Sequence, residues 1–105
     1  SYVKFCSRTL EIYFNAIKNN LKSEWKNETS KLLTVVSING FIIALTRQLT
    51  INGVKDFNFY DRIFSNWKYD FSKEKFPYTS SQYRKFSSEI LETAFGIPKE
   101  KVETL

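Results

Sequence analysis

Three lysines spaced four residues apart are the clearest candidates for chemistry in this sequence: Lys18, Lys22 and Lys26. On a continuous helix this spacing places the side chains on one face, so the ammonium groups would form a row beside Trp25. Such a row neutralises the phosphates of nucleic acid, with an affinity that falls as salt rises. The other interpretation is that these lysines complement the dipole at the end of a helix and keep the surface hydrated.

Arg84 and Lys85 form a second basic pair, in the first turns of a helix predicted over residues 81–95. Cations at this end of a helix oppose its dipole at a cost of about 0.3–1 kcal/mol, which a bound anion or solvent screening would offset. Helix-turn-helix proteins place base-contacting side chains in these turns. Contact with phosphate needs less geometry, so we treat the pair as a candidate nucleic-acid contact.

Other kinds of chemistry are excluded by composition. The chain has no histidine, a single cysteine and three scattered glycines. It therefore lacks a histidine base, the ligands of a histidine or cysteine-rich metal site, and a glycine-rich phosphate loop. We expect no catalytic residue, no cofactor and no metal, and a function in binding rather than in catalysis.

The length of 105 residues predicts one domain, and ten Phe, six Tyr and two Trp supply large side chains for its core. The formal net charge is +5. All of the excess lies in residues 1–55, where eight basic residues face three acidic ones. This charge is compatible with nucleic acid as a partner.

Cys6 has no partner in the chain, which favours a reduced, cytoplasmic setting. No apolar stretch has the roughly 20 residues needed to span a bilayer, so no membrane partner is expected. The chain begins at Ser1 and contains no methionine. We therefore expect a fragment of a longer protein.

Apolar residues at spacings of three and four predict an all-α fold, a compact bundle of about four to five helices. We expect helices over residues 3–22, 31–49, 56–67 and 81–95, with a loop over 69–79 and a short turn or frayed end after residue 98. We expect Asp56 to cap the start of the third helix and Thr79 or Ser80 to cap the start of the fourth. Gly96 is expected to end the fourth helix. The predicted inner face of the first helix consists of Val3, Cys6, Leu10, Tyr13, Phe14, Ile17 and Leu21.

The segment 31–49 has two interpretations. Asn39-Gly40 is a strong hairpin turn signal between β-branched residues, so a pair of strands is possible. The positions of Phe41, Ile42, Leu45 and Leu49 fit a helix better, with Gly40 at a point of close packing. Glycine within a helix costs about 1 kcal/mol relative to alanine, so this helix needs a compensating contact.

Several segments resemble the C-terminal helical region of DGQHR-domain proteins. They are EIYFNAIKNNLKSEW (11–25), KLLTVVSINGFIIALTRQL (31–49), WKYDFS (67–72) and FPYTSSQYRKFSSEIL (76–91). The naming motif of that family, Asp-Gly-Gln-His-Arg, is missing from this chain and would lie upstream. The resemblance implies a bacterial protein linked to DNA modification or mobile elements, related to the regulator of DNA phosphorothioation, and it favours a helix over 31–49.

The sequence therefore predicts a non-catalytic accessory domain that binds DNA or its own upstream domain. The alternative is a structural or oligomerisation module, in which apolar faces contact another protein or a second copy and nucleic acid has no part.

Overall fold

The computed structural model describes residues 2–103, with side chains from residue 3 onward. The fold is all-α, as predicted, and within the described residues it contains no strand. The six helices are α1 (Tyr2–Asn20), α2 (Lys22–Lys26), α3 (Val35–Asn52), α4 (Phe57–Ser65), α5 (Tyr83–Thr93) and α6 (Lys99–Glu103). Helix α1 packs on α4 and α3 packs on α5, while α6 lies against α5. The four longer helices are the predicted ones, and α2 and α6 are short additions.

The first helix ends earlier than predicted, and the chain turns at Leu21 before α2 begins. Leu21 has a φ of −124° and a ψ of 43°, outside the helical region. The side-chain amide of Asn20 donates to the Ala16 carbonyl at 2.8 Å, and such local bonds compete with helix continuation. The side chain of Leu21 is buried in the core. The prediction of one helix through residue 22 was therefore wrong, and the short helix α2 follows the turn.

Segment 31–49 is helical from Val35, which confirms the helix and excludes the hairpin. The compensating contact at Gly40 comes from Phe86 of α5. A Cβ atom added at Gly40 would collide with Cδ2 of the Phe86 ring and lie 3.2 Å from its Cγ. Because Phe86 is fully buried, the absence of a side chain at residue 40 sets how closely α3 and α5 approach.

The ends of α4 and α5 test the predicted caps. The Asp56 carboxylate accepts from the Phe59 amide at 2.9 Å, as expected of an N-cap. Helix α5 begins after Gln82, whose side chain makes no cap bond, so the prediction of a Thr79 or Ser80 cap was wrong. Instead the Gln82 side chain accepts from the Thr79 amide at 2.9 Å, which closes the preceding turn. Gly96 has a φ of 67° and ends the helical region, as predicted.

Aromatic rings fill the interior, and many come from the connection between α4 and α5. Trp67, Phe71 and Phe76 of this connection are buried beside Phe41 and Phe86. Most ring pairs meet edge to face, for example Phe76 with Phe86 at a centroid separation of 5.1 Å, which is the favoured geometry. The Lys31 amide donates to the Phe71 carbonyl at 2.8 Å and ties this connection to the start of the α3 region.

The inner face of α1 only partly matches the prediction. Tyr13, Ile17 and Leu21 are buried, but Val3 is 72% exposed and Leu10 is 37% exposed. The prediction that Val3 and Leu10 face the core was wrong, because no element of the described chain covers this side of the first half of α1.

None of the helices within residues 2–103 is long and apolar enough to pass through a membrane.

Candidate functional site

The turn at Leu21 brings the three candidate lysines around one open depression of the surface. Lys18 comes from the last turn of α1, and Lys22 and Lys26 are the first and last residues of α2. The depression has a volume of about 470 Å³, and Asn15 and Asn19 complete its lining. Because the chain turns at Leu21 between α1 and α2, the three lysines surround an open depression. They do not form the straight row that a continuous helix would give. We call these three residues the lysine cluster.

The cluster has no acidic partner among the described residues. All three lysine side chains are exposed, and no carboxylate of residues 2–103 forms an ion pair with any of them. The Lys18 ammonium lies 5.7 Å from the centroid of the Trp25 ring, a cation–π arrangement. The depression is therefore a concentration of positive charge that remains accessible to an anion from solvent.

The carboxylate of Asp61 is bound by Asn19, which lines the depression, and by Asn20. The side-chain amides of Asn19 and Asn20 donate to Asp61 Oδ1 at 2.9 and 2.8 Å. These two hydrogen bonds, the one from Asn19 first, lower the pKa of Asp61. Asp61 therefore stays ionised at neutral pH and fixes the end of α1 against α4. It positions the helix end from which Lys18 projects.

A neighbouring depression of the same volume, about 470 Å³, has a different character. It lies between the start of α2 and the segment after α4, and its lining includes Glu24, Lys68 and Asp70. The two acidic side chains cancel the charge of the lysine, so this surface is poorly suited to a polyanion. The contrast identifies the lysine cluster as the better candidate site.

The second basic pair stays apart from the lysine cluster. Arg84 and Lys85 are exposed in the first turn of α5, and neither borders the depression. Arg84 lies near Arg47 of α3, whose pKa is lowered first by burial and then by the charge of Arg84. Arg47 donates to Ser87 at 2.8 Å and to the Val102 carbonyl at 2.7 Å, so it joins α3, α5 and α6.

The buried polar side chains serve the fold. Ser37 donates to the Lys31 carbonyl at 2.6 Å, and Ser87 donates to the Arg84 carbonyl at 2.8 Å. The Tyr60 hydroxyl donates to the Gln48 side chain at 2.5 Å. Within the described part of the chain no set of three acidic, cysteine or histidine side chains is placed to hold a metal ion.

Sequence reasoning missed Asn15 and Asn19, which line the depression with the lysines. Each precedes a cluster lysine by three residues, so helical spacing alone was enough to find them.

Comparison of the chain with protein-family models, curated proteins and solved structures gave no match.

Proposed function

We propose that this chain is a non-catalytic helical domain that binds nucleic acid, in the first place DNA, through the phosphates. The lysine cluster carries this proposal, because three exposed ammonium groups border one depression and no carboxylate of residues 2–103 pairs with them. Contacts to phosphate position a protein on the duplex without reading its sequence, and lysines act as flexible point charges in that role. The setting proposed with it is a cytoplasmic DGQHR-type protein linked to DNA modification.

A salt titration of DNA binding tests the proposal. If each of the three lysines neutralises one phosphate of a duplex, the plot of log affinity against log salt has a slope of about −2.7. The double variant Lys18→Glu/Lys22→Glu removes two of these contacts and places negative charge in the depression. We expect its affinity to fall at least about tenfold and its slope to shrink toward about −0.9.

A matched control has the same change in net charge. The double variant Lys73→Glu/Lys99→Glu alters two exposed lysines that lie outside the depression. We expect it to keep most of the affinity and the slope of the parent. Trp25 provides a second readout, because phosphate that draws Lys18 away from the ring changes the fluorescence of this side chain. Equal losses of affinity in both double variants would show a general effect of net charge and contradict the site.

A further inference from the structure

A second depression of the surface adjoins the lysine cluster. Its lining includes Trp25, Lys26, Asn27, Glu28 and Leu33, and its volume is about 250 Å³. Lys26 lines both depressions, so the two surfaces are continuous. We call the second one the Trp25 depression.

The walls of the Trp25 depression are partly apolar. Trp25 is half-buried and packs against the core, and Leu33 is 47% exposed. The Trp25 ring also has the Lys18 ammonium 5.7 Å from its centroid. One aromatic ring therefore meets a lysine of the cluster and lines the adjoining depression.

The polar groups of the Trp25 depression differ from those of the lysine cluster. The side-chain oxygen of Asn27 accepts from the Thr29 amide and hydroxyl at 3.0 and 2.8 Å, which fixes the orientation of this side chain. The amide nitrogen of Asn27 donates to no group among the described residues. Glu28 is exposed and forms no ion pair within residues 2–103. The depression therefore offers a neutral donor and a charged acceptor.

These groups favour a nucleic-acid base over a phosphate. The Glu28 carboxylate repels phosphate, but carboxylates accept hydrogen bonds from the amino group of a base such as cytosine. Side-chain amides such as that of Asn27 donate to the acceptors of a base. Pockets for drug-sized ligands enclose about 300–1,000 Å³, so this smaller volume suits one base and not several nucleotides.

Only an unpaired base has the groups that this depression recognises available. In a duplex the bases are stacked on one another and their pairing edges are occupied, whereas an unstacked base of a single strand presents both its face and its edge. Proteins that bind single strands combine a basic surface that follows the backbone with aromatic side chains that contact the bases. The lysine cluster and Trp25 supply these two parts side by side.

We infer that the Trp25 depression binds an unpaired base of single-stranded DNA, while the lysine cluster binds phosphates of the same strand. This inference rests on the proposed nucleic-acid binding and adds the class of nucleic acid to it. A duplex contacts the lysine cluster alone, so it binds more weakly than a single strand.

Three DNA probes test this inference by fluorescence anisotropy against the whole chain. They are a single strand of about ten nucleotides, within the site sizes of single-strand binding domains, an abasic strand with the same number of phosphates, and a duplex of the same length. We expect the single strand to bind at least about tenfold more tightly than the abasic strand, a difference of about 1.4 kcal/mol. We also expect it to bind more tightly than the duplex, although phosphate contacts alone would favour the duplex because of its higher charge density.

Substitution of Trp25 locates the base. Trp25→Ala should lower the affinity for the single strand at least about tenfold. It should leave the affinity for the abasic strand unchanged, because the phosphate contacts remain. Trp25→Phe keeps an aromatic ring, and we expect it to retain most of the affinity. The slope of log affinity against log salt should be the same in the parent chain and in both variants, since the lysines are unchanged.

A second pair of variants leaves the half-buried Trp25 in place, so it tests the depression even where loss of that ring prevents folding. Leu33→Ser alters the other apolar wall, and we expect about a threefold loss of affinity for the single strand and none for the abasic strand. Leu10→Ser is the matched control, because Leu10 is also exposed but lies outside the depression. We expect it to bind all three probes like the parent chain.

Three outcomes would overturn the inference and leave the proposed function intact. One is equal affinity for the single and abasic strands, with both affinities still lowered by Lys18→Glu/Lys22→Glu. Another is tighter binding of the duplex than of the single strand. The third is a loss in Leu33→Ser no greater than that in Leu10→Ser. Failure of all three probes to bind would overturn both the inference and the nucleic-acid binding on which it rests.

Discussion

Helix α3 is packed tightly on one side and open on another. On the α5 side, Gly40 has no side chain and the Phe86 ring fills that space. On the α1 side, a groove lined by apolar residues of both helices separates them, and we call it the apolar groove. Its lining includes Phe5 and Leu10 of α1, whose side chains reach solvent, and Ile42, Leu45 and Leu49 of α3. Both sides are lined by apolar residues, yet only the first is closed by the described chain.

Apolar residues on the two sides of α3 therefore differ in how much they stabilise the fold. A side chain that is fully buried contributes its apolar area to the stability of the fold. A side chain that remains half exposed contributes little until a partner covers it. We therefore expect substitutions at the closely packed positions on the α5 side to lower stability more than substitutions of the exposed Phe5 and Leu10 on the α1 side.

On the α5 side of α3, the largest effect on stability is expected at Gly40. Gly40→Ala gains about 1 kcal/mol of helix propensity, but the new methyl group collides with the Phe86 ring. Phe86 has little room to move, since the rings of Phe41 and Phe76 lie 5.5 and 5.1 Å from it. Overpacking costs about 1–3 kcal/mol, so after the gain in propensity we expect a net loss of up to about 2 kcal/mol in chemical denaturation.

A neighbouring substitution provides the control for Gly40→Ala. Asn39→Ala makes a similar gain in helix propensity at a half-buried position of α3. We expect it to be neutral or slightly stabilising. A stable Gly40→Ala variant would mean that α5 can move away from α3, and the contrast between the two sides of α3 would disappear.

An intermediate effect is expected at Tyr60, which packs against the buried part of α3. Its hydroxyl donates to Gln48 Oε1 at 2.5 Å, and Gln48 is fully buried. Tyr60→Phe leaves that acceptor without its donor, at a cost of about 1–3 kcal/mol. We expect the free energy of unfolding to fall by about 1 kcal/mol, as measured by urea denaturation at neutral pH.

The same residue predicts a dependence on pH. Burial raises the pKa of Tyr60 to about 12, whereas tyrosine in an unfolded chain titrates near about 10. The folded state therefore holds the phenol proton more strongly than the unfolded chain does. The contribution of Tyr60 to the free energy of unfolding is complete below about pH 10 and is lost toward about pH 12. Tyr60→Phe should reduce this alkaline loss. An unchanged loss would assign it to other residues such as Tyr13, whose pKa burial also raises.

The smallest effect on stability is expected at Leu10, on the exposed rim of the apolar groove. Leu10→Ser removes a side chain that is already 37% exposed, and we expect a change within about 0.5 kcal/mol. Leu45→Ala, at a position of the groove that is only 3% exposed, should cost about 2–3 kcal/mol by creating a cavity. A loss at Leu10 as large as that at Leu45 would show that the groove is already closed in solution.

The helices were predictable because their signals are local. Apolar spacing located α3 even though Asn39-Gly40 resembles a turn, and Asp56 and Gly96 marked ends through their own backbone chemistry. The sequence predicted that Gly40 lies at a point of close packing, where a contact compensates for the cost of a glycine within a helix. Its partner, Phe86, lies 46 positions away in the sequence and required the folded structure.

The site was less predictable because it depends on tertiary packing. The spacing of Lys18, Lys22 and Lys26 predicted a shared surface, but the turn at Leu21 gives that surface its concave form. This turn depends on the burial of Leu21 and on the bonds from Asn20 to Ala16 and Asp61. Periodicity also placed Leu10 on an apolar face without indicating whether that face meets the chain itself or another molecule.

The Phe41 ring has a consequence for how the interior moves. It is 1% exposed, and six other aromatic rings have their centroids within 6.4 Å of its own: Tyr13, Phe14, Phe64, Trp67, Phe71 and Phe86. A half-rotation of this ring requires several neighbours to separate at once. Its flip rate in nuclear magnetic resonance spectra therefore reports on transient expansion of the whole interior.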